Sequence, residues 1–228
     1  MAIFRQLFDD DTSTYTYLIA DEKTLDAILI DPVHAQFDRD MKVLEQTGVT
    51  LRYILETHVH ADHITGGGRI RAATEAEFVA GAGTALDCAD RLLADGESIS
   101  FGGESITALS TPGHTDGCTS YRWRDRLFTG DTLLIDACGR TDFQQGSAER
   151  LYDSIHKLLA QGDDLLVFPA HDYNGRRVST VAQEKAINPY VAGLSREQFV
   201  EKMAALALPK PRYIDEAVPA NERCGETA

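Results

Sequence analysis

The stretch THVHADHITGG, residues 57–67, places His58, His60 and His63 around Asp62. This segment, called the histidine stretch below, is too polar for an apolar core and too rich in titratable groups for an ordinary loop. Burying three imidazoles and a carboxylate together costs free energy unless they share a metal ion or a dense hydrogen-bond network. The pattern therefore predicts a metal site or a polar network.

Further potential ligands follow strand-like runs elsewhere in the chain. The run RYILET leads into His58, ITALSTPG into His114, LFTG into Asp131 and LLVFPA into His171. Loops at strand ends hold polar groups on a rigid scaffold without burying unsatisfied backbone groups. We therefore expect these four residues to converge on one cleft.

The surrounding pattern indicates a mixed α/β chain. Short apolar runs bounded by turn residues mingle with amphipathic segments of helical period. Adjacent hairpin-like pairs favour sheets that are largely antiparallel and covered by helices. The 228 residues are 43% hydrophobic, which is enough for a sizeable core, and no Pro/Gly/Ser-rich linker divides them. One domain is therefore expected.

Composition excludes several classes of protein. A formal net charge of -14 argues against nucleic-acid binding, because phosphate contacts need clustered Lys and Arg. No apolar run approaches the roughly 20 residues of a membrane span. The first residues lack the pattern of a signal or transit peptide. We therefore expect a cytoplasmic protein that binds neither nucleic acid nor membrane.

The cysteines are few, widely spaced and without a CxxC pair. Neither a disulfide framework nor a thiolate zinc site is indicated, and a reducing compartment is expected. Cys88 and Cys118 lie in helix-like and strand-like context, where packing is the expected role, and Cys224 is expected to be a tail residue. Cys138 lies beside the predicted pocket, where a small buried residue and a functional thiol are both open interpretations.

The ordered motifs HVHADH, TPGHT, FTGD and PAH resemble the metallo-β-lactamase superfamily over nearly the whole chain. The resemblance implies a four-layer αββα sandwich with its metal site at one edge of the sheets. It also implies one domain over residues 1–228, with a short C-terminal extension from about residue 190. All seven ligand positions of a dinuclear member are present, so spacing alone favours a dinuclear hydrolase such as hydroxyacylglutathione hydrolase. The members of this set are His58, His60, Asp62, His63, His114, Asp131 and His171.

Three later segments instead resemble the persulfide dioxygenases of the same superfamily. They read ACGRTDFQQGSAERLYDSI, PAHDYNGRRVSTVAQEKAINP and LPKPRYIDEAVPANERCG. The hydrolases usually differ after CGR and continue into a larger helical domain, for which the remaining chain is expected to be too short. The hydrolase remains the alternative.

This second resemblance implies one Fe²⁺ per chain, held by His58, His114 and Asp131. Two histidines and one carboxylate leave coordination positions open for substrate and O₂. The remaining members of the set, together with Cys138, are then expected to orient ligands and manage protons. Those members are His60, Asp62, His63 and His171.

The implied reaction converts glutathione persulfide, O₂ and water into sulfite and glutathione, as in sulfide oxidation. Arg140 follows the Asp131 strand by one short loop, and Tyr173 lies two residues past His171. We predict that Arg140, Tyr173 and Arg176 contact the substrate, the arginines through its carboxylates. The resemblance also implies a homodimer.

Overall fold

The strand-forming runs assemble into two six-stranded mixed sheets. The computed structural model describes residues 2–226, so Met1, Thr227 and Ala228 of the predicted domain lie outside the described residues. The first sheet has its strands in sequential order, antiparallel from β1 to β3 and parallel from β3 to β6. Its strands are β1 (Ala2–Asp9), β2 (Thr14–Asp21), β3 (Asp26–Ile30), β4 (Thr50–Leu55), β5 (Glu77–Gly81) and β6 (Arg91–Leu93).

The second sheet has the order β12-β11-β10-β9-β8-β7. Its pairs are antiparallel except β10 with β11, so the expected antiparallel character is confirmed for this sheet. In the first sheet, three of the five pairs are parallel. Its strands are β7 (Ser98–Phe101), β8 (Glu104–Ser110), β9 (Thr119–Trp123), β10 (Arg126–Gly130), β11 (Leu166–Pro169) and β12 (Ser179–Thr180).

Helices cover the outer face of each sheet. Leu44 and Ile70, from α1 and α2, pack on the first sheet, while Ile155 and Phe199, from α3 and α5, pack on the second. These layers confirm the predicted αββα sandwich. None of the helices within residues 2–226 is long and apolar enough to cross a bilayer. The helices are α1 (Phe37–Thr47), α2 (Gly67–Thr74), α3 (Ala148–Leu159), α4 (Val181–Ile187), α5 (Arg196–Ala204) and α6 (Ile214–Asn221).

Strand β2 shows why the sheets stack face to face. All eight of its residues are buried. Successive side chains of a strand point to opposite faces, so Tyr17 and Ile19 enter the core between the sheets and Leu18 and Ala20 enter the core beneath the helices. A strand buried on both faces fits only inside such a sandwich.

A disulfide joins Cys88 to Cys224, so the predictions of no disulfide and of a tail residue at Cys224 are wrong. Cys88 does pack against the core beneath α1 and α2, as predicted, but its sulfur is bonded. The bond spans 136 residues of sequence and ties the end of α6 to the loop before β6. Sequence spacing missed it because pairing depends on proximity in the fold rather than along the chain. The expectation of a reducing compartment loses the support that unpaired cysteines gave it. Cys118 is buried with a free thiol, as predicted.

We expect Cys88→Ser to lower the free energy of unfolding by about 2–4 kcal/mol, because a cross-link over a long loop restricts the unfolded chain. Urea unfolding with and without a reductant would measure this. The reductant should destabilise the parent protein and leave the variant unchanged. Equal midpoints for the oxidised parent and the variant would show that the bond does not contribute to stability.

Candidate metal centre

The predicted ligands all follow strand ends on the same side of the sandwich. His58 follows β4, His114 follows β8, Asp131 follows β10 directly and His171 follows β11. All four line one cavity of about 580 Å³. The convergence expected from the strand ends is therefore observed, with both sheets contributing.

Three of these residues form a group suited to one metal ion. One ligand atom from each of His58, His114 and Asp131 lies within 4.8 Å of the others. Nε2 of His114 lies 3.6 Å from Oδ2 of Asp131. Within the described part of the chain, Nε2 of His58 and Oδ1 of Asp131 are buried without a hydrogen-bond partner. Such orphaned atoms cost free energy that a shared cation would offset, so these residues fit a metal.

The histidine stretch presents His58 to the cavity in one tautomer. The Thr57 hydroxyl donates its only proton to Oδ2 of Asp31 at 2.9 Å, and it lies 2.9 Å from Nδ1 of His58. Thr57 must therefore accept a hydrogen bond from Nδ1, which leaves the Nε2 lone pair free. Burial also lowers the pKa of His58 well below 6.5, so the ring is neutral, as a metal ligand must be.

A backbone carbonyl orients His114 in the same way. Nδ1 of His114 donates to the carbonyl oxygen of Arg140 at 2.7 Å, so Nε2 faces Asp131. The loop can approach this closely because residue 139 is glycine. A Cβ at Gly139 would lie 2.4 Å from the Asp131 carbonyl oxygen and 2.8 Å from the His114 ring.

His60 is directed towards two buried carboxylates, Asp31 and Glu56, rather than towards Asp131. Its Nε2 lies 3.3 Å from Oδ1 of Asp31 and 3.5 Å from Oε2 of Glu56. Although burial disfavours the imidazolium, these carboxylates raise the pKa of His60 well above 6.5, while burial raises the pKa of Glu56 to about 7. Sequence reasoning assigned no role to Asp31 or Glu56, because each lies in a strand-end run that reads as ordinary sheet.

The other two predicted orienting histidines frame Asp62. Nε2 of His171 lies 3.5 Å from Oδ2 of Asp62 and 3.6 Å from Oδ1 of Asp131. Nδ1 of His63 lies 3.2 Å from the carbonyl oxygen of Ile64. Against the effect of burial, the two histidines lower the pKa of Asp62 to about 2, so this carboxylate stays ionised. His60, Asp62 and His63 form a second group whose ligand atoms lie within 4.8 Å of one another.

The C-terminal helix α6 contributes a residue that sequence reasoning also missed. The side chain of Asn221 is buried and bonds three backbone atoms of the histidine stretch. Its Oδ1 accepts from the Thr65 amide at 2.8 Å, and its Nδ2 donates to the carbonyl oxygens of His60 and His63 at 2.9 and 2.8 Å. No local pattern marks this residue, because its partners lie more than 150 positions earlier in the sequence.

The predicted substrate contacts differ in how they meet the cavity. Arg140 lines it but forms a two-point ion pair with Asp142, at 2.6 and 2.7 Å. Arg176 pairs with Asp136 and is not part of the cavity wall. Tyr173 lines the cavity, is 68% exposed, and stacks on His171 with ring centroids 6.0 Å apart. Substrate binding by these residues stays a prediction.

Cys138 lines the cavity, but its sulfur faces away from the ligands. Its Sγ lies 3.8 Å from Sδ of Met203, and it packs against the core beneath α3 and α5. Burial raises its pKa to about 12, so the group is a neutral thiol. The packing interpretation that the sequence left open therefore has direct support.

Comparison with known proteins agrees with this geometry. The family model described as "Metallo-beta-lactamase superfamily" matches residues 9–171. The mitochondrial persulfide dioxygenase ETHE1 of Bos taurus is 46% identical over 226 residues, which is 98% of this chain and 89% of that protein. The crystal structure of ETHE1 from Myxococcus xanthus superposes with a TM-score of 0.96 at 50% identity, covering 98% of this chain and all of that one.

A hydroxyacylglutathione hydrolase from Rhodospirillum rubrum is also similar. It is 37% identical over 166 residues, but these cover only 71% of this chain and 63% of the hydrolase. The match to the dioxygenase is both more identical and nearly complete. The chain therefore belongs to the metallo-beta-lactamase superfamily and, within it, to the family of the persulfide dioxygenases.

Proposed function

We propose that this protein is a persulfide dioxygenase that converts glutathione persulfide, O₂ and water into sulfite and glutathione. The observation that carries the proposal is the group of His58, His114 and Asp131, whose free ligand atoms face the cavity. Both oxygen atoms of O₂ end on the terminal sulfur, which loses four electrons to O₂, water supplies the third oxygen of sulfite, and glutathione leaves as the thiol. The near-complete similarity to persulfide dioxygenases supports the same substrate class.

The proposed cofactor is one Fe²⁺ per chain, held by His58, His114 and Asp131. Ferrous iron bound by two imidazoles and one carboxylate supplies open coordination positions and redox chemistry for O₂. The protein itself fixes the ligands. Thr57 and the carbonyl of Arg140 hold the two rings in the tautomer that binds through Nε2.

The remaining polar residues are proposed to support the ligands rather than to hold a second metal. His60 points its Nε2 at Asp31 and Glu56, an arrangement that holds the ring away from the cavity. His171 lies beside both Asp62 and Asp131, so it is placed to orient the ligating carboxylate and to hold a proton next to it. The proposal also includes the homodimer and the cytoplasmic location expected from the sequence.

An oxygen electrode tests the reaction directly. We expect O₂ uptake and sulfite release in equal amounts, ending when glutathione persulfide is exhausted, because both oxygen atoms are incorporated into one product. Metal analysis of the same preparation should give iron near one per chain. Turnover without O₂, or rapid hydrolysis of S-lactoylglutathione by a protein with two metals per chain, would favour the hydrolase instead.

A further inference from the structure

One wall of the metal cavity comes from the C-terminal segment 208–213. Leu208, Pro209, Pro211, Arg212 and Tyr213 all line the cavity that contains His58, His114 and Asp131. This segment, called the wall segment below, lies directly before α6. Any ligand that approaches His58, His114 and Asp131 from this side passes along the wall segment.

Arg140 holds the wall segment in place. Its Nη1 donates to the carbonyl oxygen of Pro209 at 2.7 Å, and its Nη2 donates to that of Leu208 at 3.3 Å. The other face of the guanidinium forms the two-point ion pair with Asp142. At least four of its five N–H donors are thus engaged within the protein, which makes Arg140 a poor direct ligand for a substrate carboxylate.

Arg212 is in the opposite situation. Its side chain is exposed and lines the cavity, with its Cζ 5.0 Å from the ring centroid of Tyr213. Among residues 2–226, no Asp or Glu lies within ion-pair distance of it. Lys210, two positions earlier, forms an ion pair with Asp215 at 2.6 Å and does not line the cavity. Arg140 and Arg212 are the arginines that line the cavity. Of these two, Arg212 is therefore the one whose N–H donors can bind a ligand.

We propose that Arg212 binds a carboxylate of the substrate and that Arg140 positions the wall segment that carries it. This inference rests on the proposed function, since it assumes a thiol-derived substrate with carboxylates, of which glutathione persulfide has two. A guanidinium binds a carboxylate through two parallel hydrogen bonds. A cavity of about 580 Å³ lies within the usual range for a small-molecule ligand.

The charges around the cavity favour this orientation. The acidic residues of the wall are Asp11, Asp62 and Asp131, of which Asp131 belongs to the group with His58 and His114 and Asp62 to the neighbouring group with His60 and His63. The proposed iron offsets the charge of these carboxylates, so the wall segment, which carries Arg212, holds the cation that a substrate carboxylate can pair with away from the metal. The chain as a whole has a net charge of -14 and gives no long-range attraction. Charges beyond a Debye length of ~8 Å are largely screened, so one local cation decides where the carboxylate binds.

Steady-state kinetics of Arg212→Gln tests the assignment. With glutathione persulfide, we expect KM to rise at least tenfold while kcat stays within twofold. With the persulfide of cysteamine, which has no carboxylate, KM should stay the same. Arg212→Lys should recover part of the loss, because an ammonium keeps the charge but lacks the planar fork. Lys210→Gln removes the same charge from the same segment and should leave KM unchanged.

Arg140 is tested as a positioning residue by a double variant. We expect Arg140→Leu to raise KM for glutathione persulfide and to leave iron content intact. If Arg140 acts through Arg212, the double variant should be no worse than Arg212→Gln alone. Additive losses would show instead that Arg140 binds substrate by itself.

Binding of reduced glutathione to the iron-loaded protein without O₂ gives a readout that does not need turnover. Calorimetry should show at least tenfold weaker binding to Arg212→Gln than to the parent or to Lys210→Gln. An unchanged Kd, or the same loss in Lys210→Gln, overturns the assignment. So does a loss in Arg177→Gln alone, since Arg177 lines the neighbouring cavity beyond Tyr173. If the parent binds glutathione but consumes no O₂ with the persulfide, the proposed function fails while this assignment can still be measured.

Discussion

Asp131→Ala should abolish iron binding and O₂ uptake with glutathione persulfide. Asp131 is the only carboxylate in the group with His58 and His114, and it supplies the negative charge of the site. Replacing a residue that merely orients a ligand typically costs about 10–100-fold in metal affinity. Loss of a ligand itself should exceed about 100-fold, so the purified variant should contain almost no iron. Iron assay of purified protein and the oxygen electrode measure the two effects.

The metal-free form of Asp131→Ala provides the folding control. Oδ1 of Asp131 is buried without a hydrogen-bond partner in the described part of the chain, and Nε2 of His171, at 3.6 Å, is too far away to donate a hydrogen bond to it. A buried carboxylate in this state opposes folding when no cation is present. The metal-free variant should therefore unfold at a temperature no lower than the metal-free parent. A lower unfolding temperature would mean that lost iron reflects a damaged fold.

His171→Ala is the matched comparison for the ligand assignment. His171 lies 3.6 Å from Asp131 and lines the same cavity, but it is not part of the group formed by Asp131 with the other two histidines. It should keep most of its iron and lose activity less severely. Retention of iron by Asp131→Ala with loss in His171→Ala would reverse the assignment. Two tightly bound metals per chain in active parent protein would contradict the single-iron centre.

The mixed α/β class and the convergent strand-end residues were readable from sequence because their signals are local, whereas the four-layer sandwich and the choice of three ligands came from the family resemblance. A strand-like run that ends in a histidine or aspartate carries both the element and the ligand in one stretch, as in LFTGD leading to Asp131. The strong helices were also readable, and α3 begins with Ser147 accepting from the Arg150 amide, an ordinary N-cap. By contrast, α6 was not predicted: it contains Pro219, which disfavours a helix interior, and tertiary contacts keep it helical.

What the sequence could not show depends on contacts between distant residues. Nothing near Cys224 indicates that the chain returns it to Cys88, and the buried carboxylates of Asp31 and Glu56 gain their role only by facing His60. The prediction for Arg140 placed it correctly at the cavity, but its partner Asp142 and the carbonyls of the wall segment appear only in the fold. Sequence motifs identify the side chains that can bind a metal or a substrate. Contacts formed in the fold decide which of these side chains are already paired and which can still bind a ligand.

Asn221→Ala should weaken iron binding although Asn221 touches no metal ligand atom. Its amide holds the backbone of Thr65, His60 and His63 through three hydrogen bonds of 2.8–2.9 Å. Alanine leaves a buried N–H and two carbonyls without these partners, at about 1–3 kcal/mol for each unsatisfied group. Since the same backbone presents His58, we expect iron affinity to fall about 10–100-fold, as for other residues that orient ligands.

Asn221→Asp sharpens the expectation because it keeps the shape and changes only the donor. An aspartate can still accept from the Thr65 amide, but it turns a carboxylate oxygen towards the carbonyls of His60 and His63. Two buried acceptors then face a charge with no proton between them, so the variant should lose at least as much stability as the alanine. Metal titration with a competing chelator and urea unfolding of the metal-free forms measure the two effects separately.

Asn188→Ala separates loosening of the histidine stretch from general destabilisation. Asn188 is also fully buried, and its Nδ2 donates to the Ala137 carbonyl at 3.0 Å and to Glu184 at 2.8 Å, outside the histidine stretch. Asn188→Ala and Asn221→Ala should both unfold more easily than the parent. Only Asn221→Ala should lose about 10–100-fold in iron affinity. Equal iron losses in the two would attribute the effect to lower stability. An Asn221→Ala protein with parental affinity would mean that the sheets alone hold His58 in place, because the ligand would then keep its position without the contact from α6.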